Sequence, residues 1–441
     1  MTRYVLIGSG IAALSAAEAI RQTDATGSIT LVSEEPHPFY SRPGLAYLLR
    51  KDIGEEQLRI RTEKDIAELR LERLTARVER LEPAARELVL ADGRRLNYDR
   101  LLLATGALAA PPPFPGANLA GVVKLDSLND TRRILQLARR RRPAVVVGGG
   151  ITALELAEGL CTRGMKVQYF LRGTRYLSDV LDEVESRMVL DRLRREGVTI
   201  RTGTQVKEVV GVEGRVNAVV TQAEERVSCE VVAVAIGVRP RVELAKAAGL
   251  TVRKGIVVDE FLETSALDVF AAGDVAEVVD PRTGNAALDV LWPVALQQGL
   301  AVGANMAGQR KSYLKGTPFN VTQLAGLKTT IIGAVGGGSN EDLVAITRGE
   351  SEAWRRSAQA RMVGTSDDVN RVRLVLDGNR LIGALVMGEQ GWSRPLQQLI
   401  VEQADVAPIR DALLQGGAIA LEQLAAFHLR WEQAQKKAPS L

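Results

Sequence analysis

The stretch RYVLIGSGIAALSAAEAIRQ, Arg3 to Gln22, decides the fold. An apolar strand from Tyr4 to Ile7 runs into Gly8-x-Gly10-x-x-Ala13 and then into a helical pattern of small and apolar residues. Each position has a physical duty: Gly8 makes a tight turn, Gly10 lets the backbone approach a pyrophosphate, and Ala13 permits close helix-to-strand packing. The next apolar run, SITLVSEE, ends in Glu34 and Glu35, about 20 residues on, where a carboxylate accepts ribose hydroxyls. Strand, glycines, helix, strand and acid in this order predict a Rossmann-type dinucleotide-binding unit rather than an isolated glycine-rich turn.

The pattern returns in PAVVVGGGITALELAEGLCTRGMKVQYFLRGTR as a strand Ala144 to Val147, Gly148-x-Gly150-x-x-Ala153, a helix, and a strand Lys166 to Leu171. Two such units imply two nucleotide ligands. The second ends in Leu171-Arg172 where the first ends in Ser33-Glu34. A carboxylate selects a free ribose 2′-hydroxyl, whereas a guanidinium pairs with a 2′-phosphate. Arg172 therefore favours NADPH over NADH at the second unit, by about 10- to 150-fold if one charge-assisted hydrogen bond is at stake. The alternative is a solvated surface arginine. YDRLLLATGALAAPP adds a strand ending in Thr105-Gly106, and CEVVAVAIGVRP repeats that form with Gly237 and Pro240. ALDVFAAGDVAE presents Gly273 and Asp274 after an apolar strand, and LWPVALQQGLAVGANMAG follows as a helix. An acid at a strand end suits the hydroxyls of a ribityl chain, and the next helix N-terminus a ring or phosphate.

The 441 residues correspond to about three domains at roughly 150 residues each. Hydrophobic residues make up 46% and charged residues 25%, the balance of an ordinary globular protein. The 57 basic against 53 acidic residues give a net charge of +4 without a basic stripe interleaved with aromatics, which disfavours nucleic-acid binding. Cys161 and Cys229 stand 68 positions apart with no C-x-x-C, and His37 and His428 are the only histidines. No metal site, disulfide framework or Ser-His-Asp triad is readable from such a set. No signal-peptide pattern and no run of about 18 apolar residues occurs, so the expected location is the cytoplasm.

In this order the motifs resemble the two-dinucleotide-binding flavoprotein superfamily that includes glutathione reductase, with the pyridine nucleotide-disulfide oxidoreductase fold. Within it they are similar to the rubredoxin reductase, ferredoxin reductase and apoptosis-inducing-factor-like branch, with the flavin part of nitrite reductase nearby. The resemblance covers about residues 1 to 335. It implies an α/β fold: an FAD-binding Rossmann domain in two segments, 1–114 and 241–316, an inserted NAD(P)H-binding Rossmann domain, 115–240, and an α+β C-terminal interface domain, 317–441. Carried over by motif, Gly8, Gly10, Ala13, Glu34, Glu35, Arg42, Val78, Thr105, Gly106, Gly273 and Asp274 serve FAD. Gly148, Gly150, Ala153, Glu155, Arg172 and Gly237 serve the nicotinamide nucleotide, and Trp292 matches an aromatic near the flavin or is a core tryptophan. The implied activity is hydride transfer from NAD(P)H to FAD and onward delivery to a ferredoxin, a rubredoxin or a partner subunit, by a monomer or homodimer. Two alternatives stay open: a membrane-surface quinone reductase, and a flavoprotein scaffold or regulator without efficient turnover.

FYSRPGLAYLL, Phe39 to Leu49, separates this chain from the thiol-using relatives. Those with a redox disulfide carry C-x-x-x-x-C here, and a second group carries S-x-x-C-G-x-x-x-Y. Pro43 falls at that cysteine, so no sulfur relay operates at this point. The ferredoxin reductase branch shows a pattern like Y-x-R-P-P-L-S-K, whose lysine pairs with a glutamate of the second glycine-motif helix. Tyr40, Arg42, Pro43 and Leu45 are kept and the glutamate is Glu155, but Tyr47 replaces the lysine. Glu155 is thus expected to lack its usual lysine partner and to be protonated, hydrated or paired elsewhere. Asp126 stands where relatives often have an arginine, so a less cationic flavin environment is expected. Towards the end, strands around an Asp377-Gly378-Asn379 hairpin turn precede an amphipathic tail, IALEQLAAFHLRWEQAQKK. The tail is read as a packed terminal helix first, then as a partner-binding or membrane-surface helix.

Overall fold

In the computed structural model, residues 1–279, 286–336, 361–366 and 370–437 are described; the parts of the expected C-terminal domain at 337–360, 367–369 and 438–441 lie outside them. Along the chain run β1 (Arg3–Ile7), α1 (Ile11–Thr23), β2 (Ser28–Ser33), α2 (Gly44–Arg50), β3 (Leu71–Thr75) and β4 (Arg100–Leu103). Next come β5 (Val122–Val123), α3 (Leu128–Leu137), β6 (Pro143–Val147), α4 (Ile151–Thr162), β7 (Lys166–Phe170), α5 (Glu183–Arg195) and β8 (Val231–Val234). Then follow β9 (Val269–Ala271), α6 (Trp292–Met306), β10 (Phe319–Leu324), β11 (Leu327–Gly333), β12 (Arg361–Ser366), β13 (Arg371–Asp377), β14 (Arg380–Met387), α7 (Ser393–Val401) and α8 (Gly417–Lys437). The chain forms two compact units, the first mainly residues 1–172 and 204–315, the second mainly residues 173–203, 316–336 and 370–437.

In the first unit, β9, β4, β1, β2 and β3 form one parallel sheet in that order. Tyr4, Val5, Leu6 and Ile7 of β1 and Leu101, Leu102 and Leu103 of β4 are all buried, as expected where both faces of a parallel sheet are covered. The covering helix α1 is built from small residues: Ala12, Ala13, Ala16 and Ala17 are all buried, Ala12 and Ala16 lying against Gly299 and Gly303 of α6. β9 arrives 166 residues after β4 yet pairs with it, Val269 with Leu101 and Ala271 with Leu103. Between them β7, β6, β8 and β5 make a second parallel array. Such arrays carry their ligands at the carboxyl ends of the strands. The helix α2 packs on α4, and Arg163 fixes its last turn by donating to the Leu48 carbonyl at 2.8 Å and the Leu49 carbonyl at 2.9 Å.

In the second unit β10, β11, β14, β13 and β12 form an antiparallel sheet. β13 and β14 are joined at Gly378-Asn379, with Asp377 paired to Arg380, the hairpin read from the sequence. Leu396 and Leu399 of α7 and Ala420, Leu424 and Phe427 of α8 are buried with Ile332, Leu374 and Val386 of the sheet. The tail is a packed terminal helix, and its apolar stripe is spent on this core.

Candidate dinucleotide-binding and redox site

A neighbouring strand's carbonyl fixes each glycine turn. Gly8 has φ +117°, and a Cβ there would lie 2.1 Å from the Ala104 carbonyl oxygen, just past β4. Gly148 has φ +145°, and its Cβ would lie 2.1 Å from the Ala235 carbonyl oxygen, just past β8. Both positions exclude any side chain. Gly10 and Gly150 are the N-caps of α1 and α4, and no side chain caps either helix. A Cβ on Gly10, Gly106 or Gly149 would meet nothing within 4 Å. The first-turn N–H groups of both helices are therefore open to an anion brought close to the backbone. Ala13 and Ala153 are fully buried where these helices meet their sheets.

The ends of β2 and β7 correspond residue for residue. Gly8 N–H donates to the Val32 carbonyl at 2.8 Å, and Gly148 N–H to the Phe170 carbonyl at 3.3 Å. Two residues past each acceptor stand Glu34 and Arg172, both exposed. Equivalent sites thus carry opposite charges. Arg77 Nε lies 3.6 Å from Glu34 Oε1. Glu35 is more enclosed, accepting from Arg42 Nη2 at 2.5 Å and from the Tyr40 hydroxyl at 2.7 Å. Burial opposes its charge, yet the Arg42 guanidinium and the two hydrogen bonds hold its carboxyl below the usual range. Arg42 Nη1 also donates to the Asp126 carbonyl at 2.7 Å.

The remaining candidates fall along the same edge. Val78 opens the strand Val78–Glu82 just beyond β3. Thr105 Oγ1 donates to the Arg241 carbonyl at 3.0 Å, and Arg241 N–H to the Gly106 carbonyl at 2.9 Å. Gly273 follows β9, with its N–H donating to Gln298 Oε1 of α6 at 2.7 Å, and Asp274 comes next. A Cβ on Gly273 would sit 3.1 Å from Ala12 Cβ of α1. The first sheet's carboxyl edge thus gathers Gly8, Gly10, Glu34, Glu35, Val78, Thr105, Gly106, Gly273 and Asp274. Gly148, Gly150, Arg172 and Gly237, whose carbonyl accepts from Ala110 N–H at 2.9 Å, gather at the second. Tyr47 lies on α2 and is exposed, and Trp292 opens α6 and is partly buried against the first core.

Glu155 has a basic group from another position, one of the outcomes expected for it. Arg50, one turn beyond Tyr47 on the same face of α2, lays its guanidinium over the Tyr47 ring with Cζ 4.8 Å from the centroid. Its Nη1 is 3.3 Å from Glu158 Oε2 of α4. Burial opposes the Arg50 charge, but Glu158, Asp52 and Glu155 together raise its pKa. The position left by the lysine is thus served from the next helical turn, because residues three apart share a face. Asp126 likewise has a cation beside it, Lys124 Nζ at 2.9 Å from Oδ2. Sequence reasoning missed both Arg50 and Arg241; the helical period from Tyr47 held a signal for the first.

Residues 2–299 match the pyridine nucleotide-disulphide oxidoreductase family. The chain belongs to that family. FAD, with NAD(P)H as co-substrate, fits it, and the chain is an oxidoreductase of this flavoprotein type. It is 26% identical over 407 residues to the nitrite reductase [NAD(P)H] of Bacillus subtilis (strain 168), covering 92% of this chain and 48% of that one. The chain thus spans about half the length of that relative. It is 30% identical over 386 residues to the ferredoxin–NAD(+) reductase component of the biphenyl dioxygenase system of Paraburkholderia xenovorans (strain LB400), covering 86% and 93%. Among solved structures, the covalent putidaredoxin reductase–putidaredoxin complex matches with TM-score 0.84 and 25% identity over 97% of this chain and 99% of that one. Among the described residues no helix is long and apolar enough to cross a membrane.

Proposed function

We propose that this chain takes reducing equivalents from NAD(P)H, with NADPH favoured, onto FAD and passes them to a separate carrier such as a ferredoxin, a rubredoxin or a partner subunit. Residues 1–114 and 241–316 hold FAD, 115–240 hold the nicotinamide nucleotide, and 317–441 form an interface domain. The observation that carries the reading is the duplicated cradle with opposite charges at equivalent positions, Glu34 and Arg172. Glu34 and Glu35 suit an adenosine ribose bearing free hydroxyls, and Arg172 suits a 2′-phosphate. Bound FAD supplies the acceptance of hydride and the release of electrons singly. The chain's own residues position the groups: open glycine backbone receives phosphates, and Asp274 and the start of α6 face the sheet edge where the flavin is held. Delivery to a protein carrier is supported by the ferredoxin and putidaredoxin named for the two reductases above.

The test is anaerobic titration of the yellow protein with NADPH and with NADH, followed by flavin bleaching and then by addition of ferredoxin or rubredoxin. The expected outcome is faster bleaching by NADPH. Arg172→Ala should lower the NADPH-to-NADH ratio of kcat/KM by about 10- to 150-fold. An unchanged ratio would reject the NADPH preference while leaving the reductase reading intact.

A further inference from the structure

Arg241 stands directly beyond the Gly237-x-x-Pro240 motif, at a position to which the glycine fingerprints give no duty. Its main chain is pinned on both sides to the end of β4, through Gly106 and Thr105 at 2.9 and 3.0 Å. Ala104, whose carbonyl closes the Gly8 turn, immediately precedes that pair. The side chain is partly buried, and its Nε is enclosed with no hydrogen-bond partner among the described residues. An enclosed donor left unmatched is costly, so such a group calls for an acceptor. Among the described residues no carboxylate provides one. Glu35 lies near enough to feel the Arg241 charge, but its two oxygens are engaged by Arg42 and Tyr40. Arg42 is thereby neutralised, while Arg241 makes no ion pair among the described residues. The Gly106 backbone bonded to it and the Gly10 backbone that caps α1 are both open, and the α1 N-terminus contributes roughly half a positive charge. A dinucleotide's diphosphate brings two negative charges and an excess of acceptor oxygens to that edge.

We propose that Arg241 binds the diphosphate of the FAD held at the first glycine turn, as the cation that completes the neutralisation begun by the α1 N-terminus. This rests on the first cradle being the FAD site. The guanidinium, pinned by its own main chain to Thr105 and Gly106, approaches from the β4 side and the helix from the β1 side. Arg42 instead holds Glu35 in place for the adenosine ribose.

The test measures the FAD dissociation constant from flavin fluorescence on dilution of full-length holoprotein, for wild type, Arg241→Gln and Arg241→Lys, across a salt series. Losing a charge-assisted bond should weaken FAD binding about 10- to 150-fold in Arg241→Gln. The salt dependence should become shallower, and Arg241→Lys should recover part of the affinity and most of the salt dependence. An Arg241→Gln protein that binds FAD as wild type does would overturn the proposal. So would equal weakening in both variants with unchanged salt dependence and a lowered Tm of the flavin-free chain, the result of a purely structural role. Wild-type protein without FAD affinity would instead overturn the site reading itself, and the proposal with it.

Discussion

The narrowest constraint in the molecule acts on single residues, the glycines facing carbonyl oxygens. At Gly148 the obstacle is backbone, Ala235 oxygen at 2.1 Å from a would-be Cβ, combined with φ +145°. Neither partner can yield without moving β6 or β8, so Gly148→Ala should raise the KM for NADPH by more than about tenfold, at least ~1.4 kcal/mol. Its flavin-to-protein absorbance ratio should stay that of wild type. Gly8→Ala meets the same obstacle at Ala104 and should reverse the pattern, yielding protein poor in flavin. Steady-state kinetics and flavin content on the two variants check this, and loss of flavin from both would reject the separation into two cradles. These glycines were legible in the sequence because their demand is local, a turn between a strand and the helix that follows it. Arg241 was not legible. Its duty arises from Thr105, 136 residues away, and from donors that pairing in the fold leaves over.

Elements carry the next layer, and α2 shows where a motif comparison misleads. Position by position, Tyr47 replaces a lysine; as a helix, α2 still presents a cation to α4, because Arg50 follows on the same face. Its side chain and that of Glu158 are 9% and 6% exposed. Arg50→Met should take a cation away from the buried Glu158 carboxylate and destabilise the protein by up to about 3–5 kcal/mol. The double variant Arg50→Met/Glu158→Leu should recover most of that loss, which urea unfolding of the four proteins of the cycle would measure. Equal losses in single and double variants would show the helices to be held by packing alone. The same layer explains what else the sequence withheld. The hairpin at Gly378-Asn379 and the terminal helix were readable from period and turn residues. The grouping of residues 173–203 with the C-terminal sheet was not, since it depends on Arg371 and Arg373 of β13 reaching Glu185, at 3.1 and 2.8 Å and across more than 180 residues.

For the molecule as a whole the deciding quantity is how many electrons it can hold. Two cysteines occur in the sequence, and they occupy unlike places. Cys229 is buried in the second Rossmann core, which pushes its thiol up to about 12, so thiolate, the reactive form, is scarce near neutral pH. Cys161 lies on α4, and Pro43 occupies the place where thiol-using relatives of similar pattern carry a cysteine. Among the described residues no cluster of His, Cys, Asp and Glu is arranged to hold a metal ion. On the proposed reading the flavin is the group that stores the reducing equivalents. One equivalent of NADPH per flavin should therefore bleach the protein completely under anaerobic conditions, whereas a flavin backed by a dithiol consumes two. A Cys161→Ser/Cys229→Ala variant should keep the same end point and the same rate of carrier reduction, and iodoacetamide should not inhibit the wild type. A second equivalent taken up before full bleaching, or a cysteine-free variant that bleaches yet no longer reduces its carrier, would place a sulfur group in the electron path and remove the basis for a flavin-to-carrier transfer.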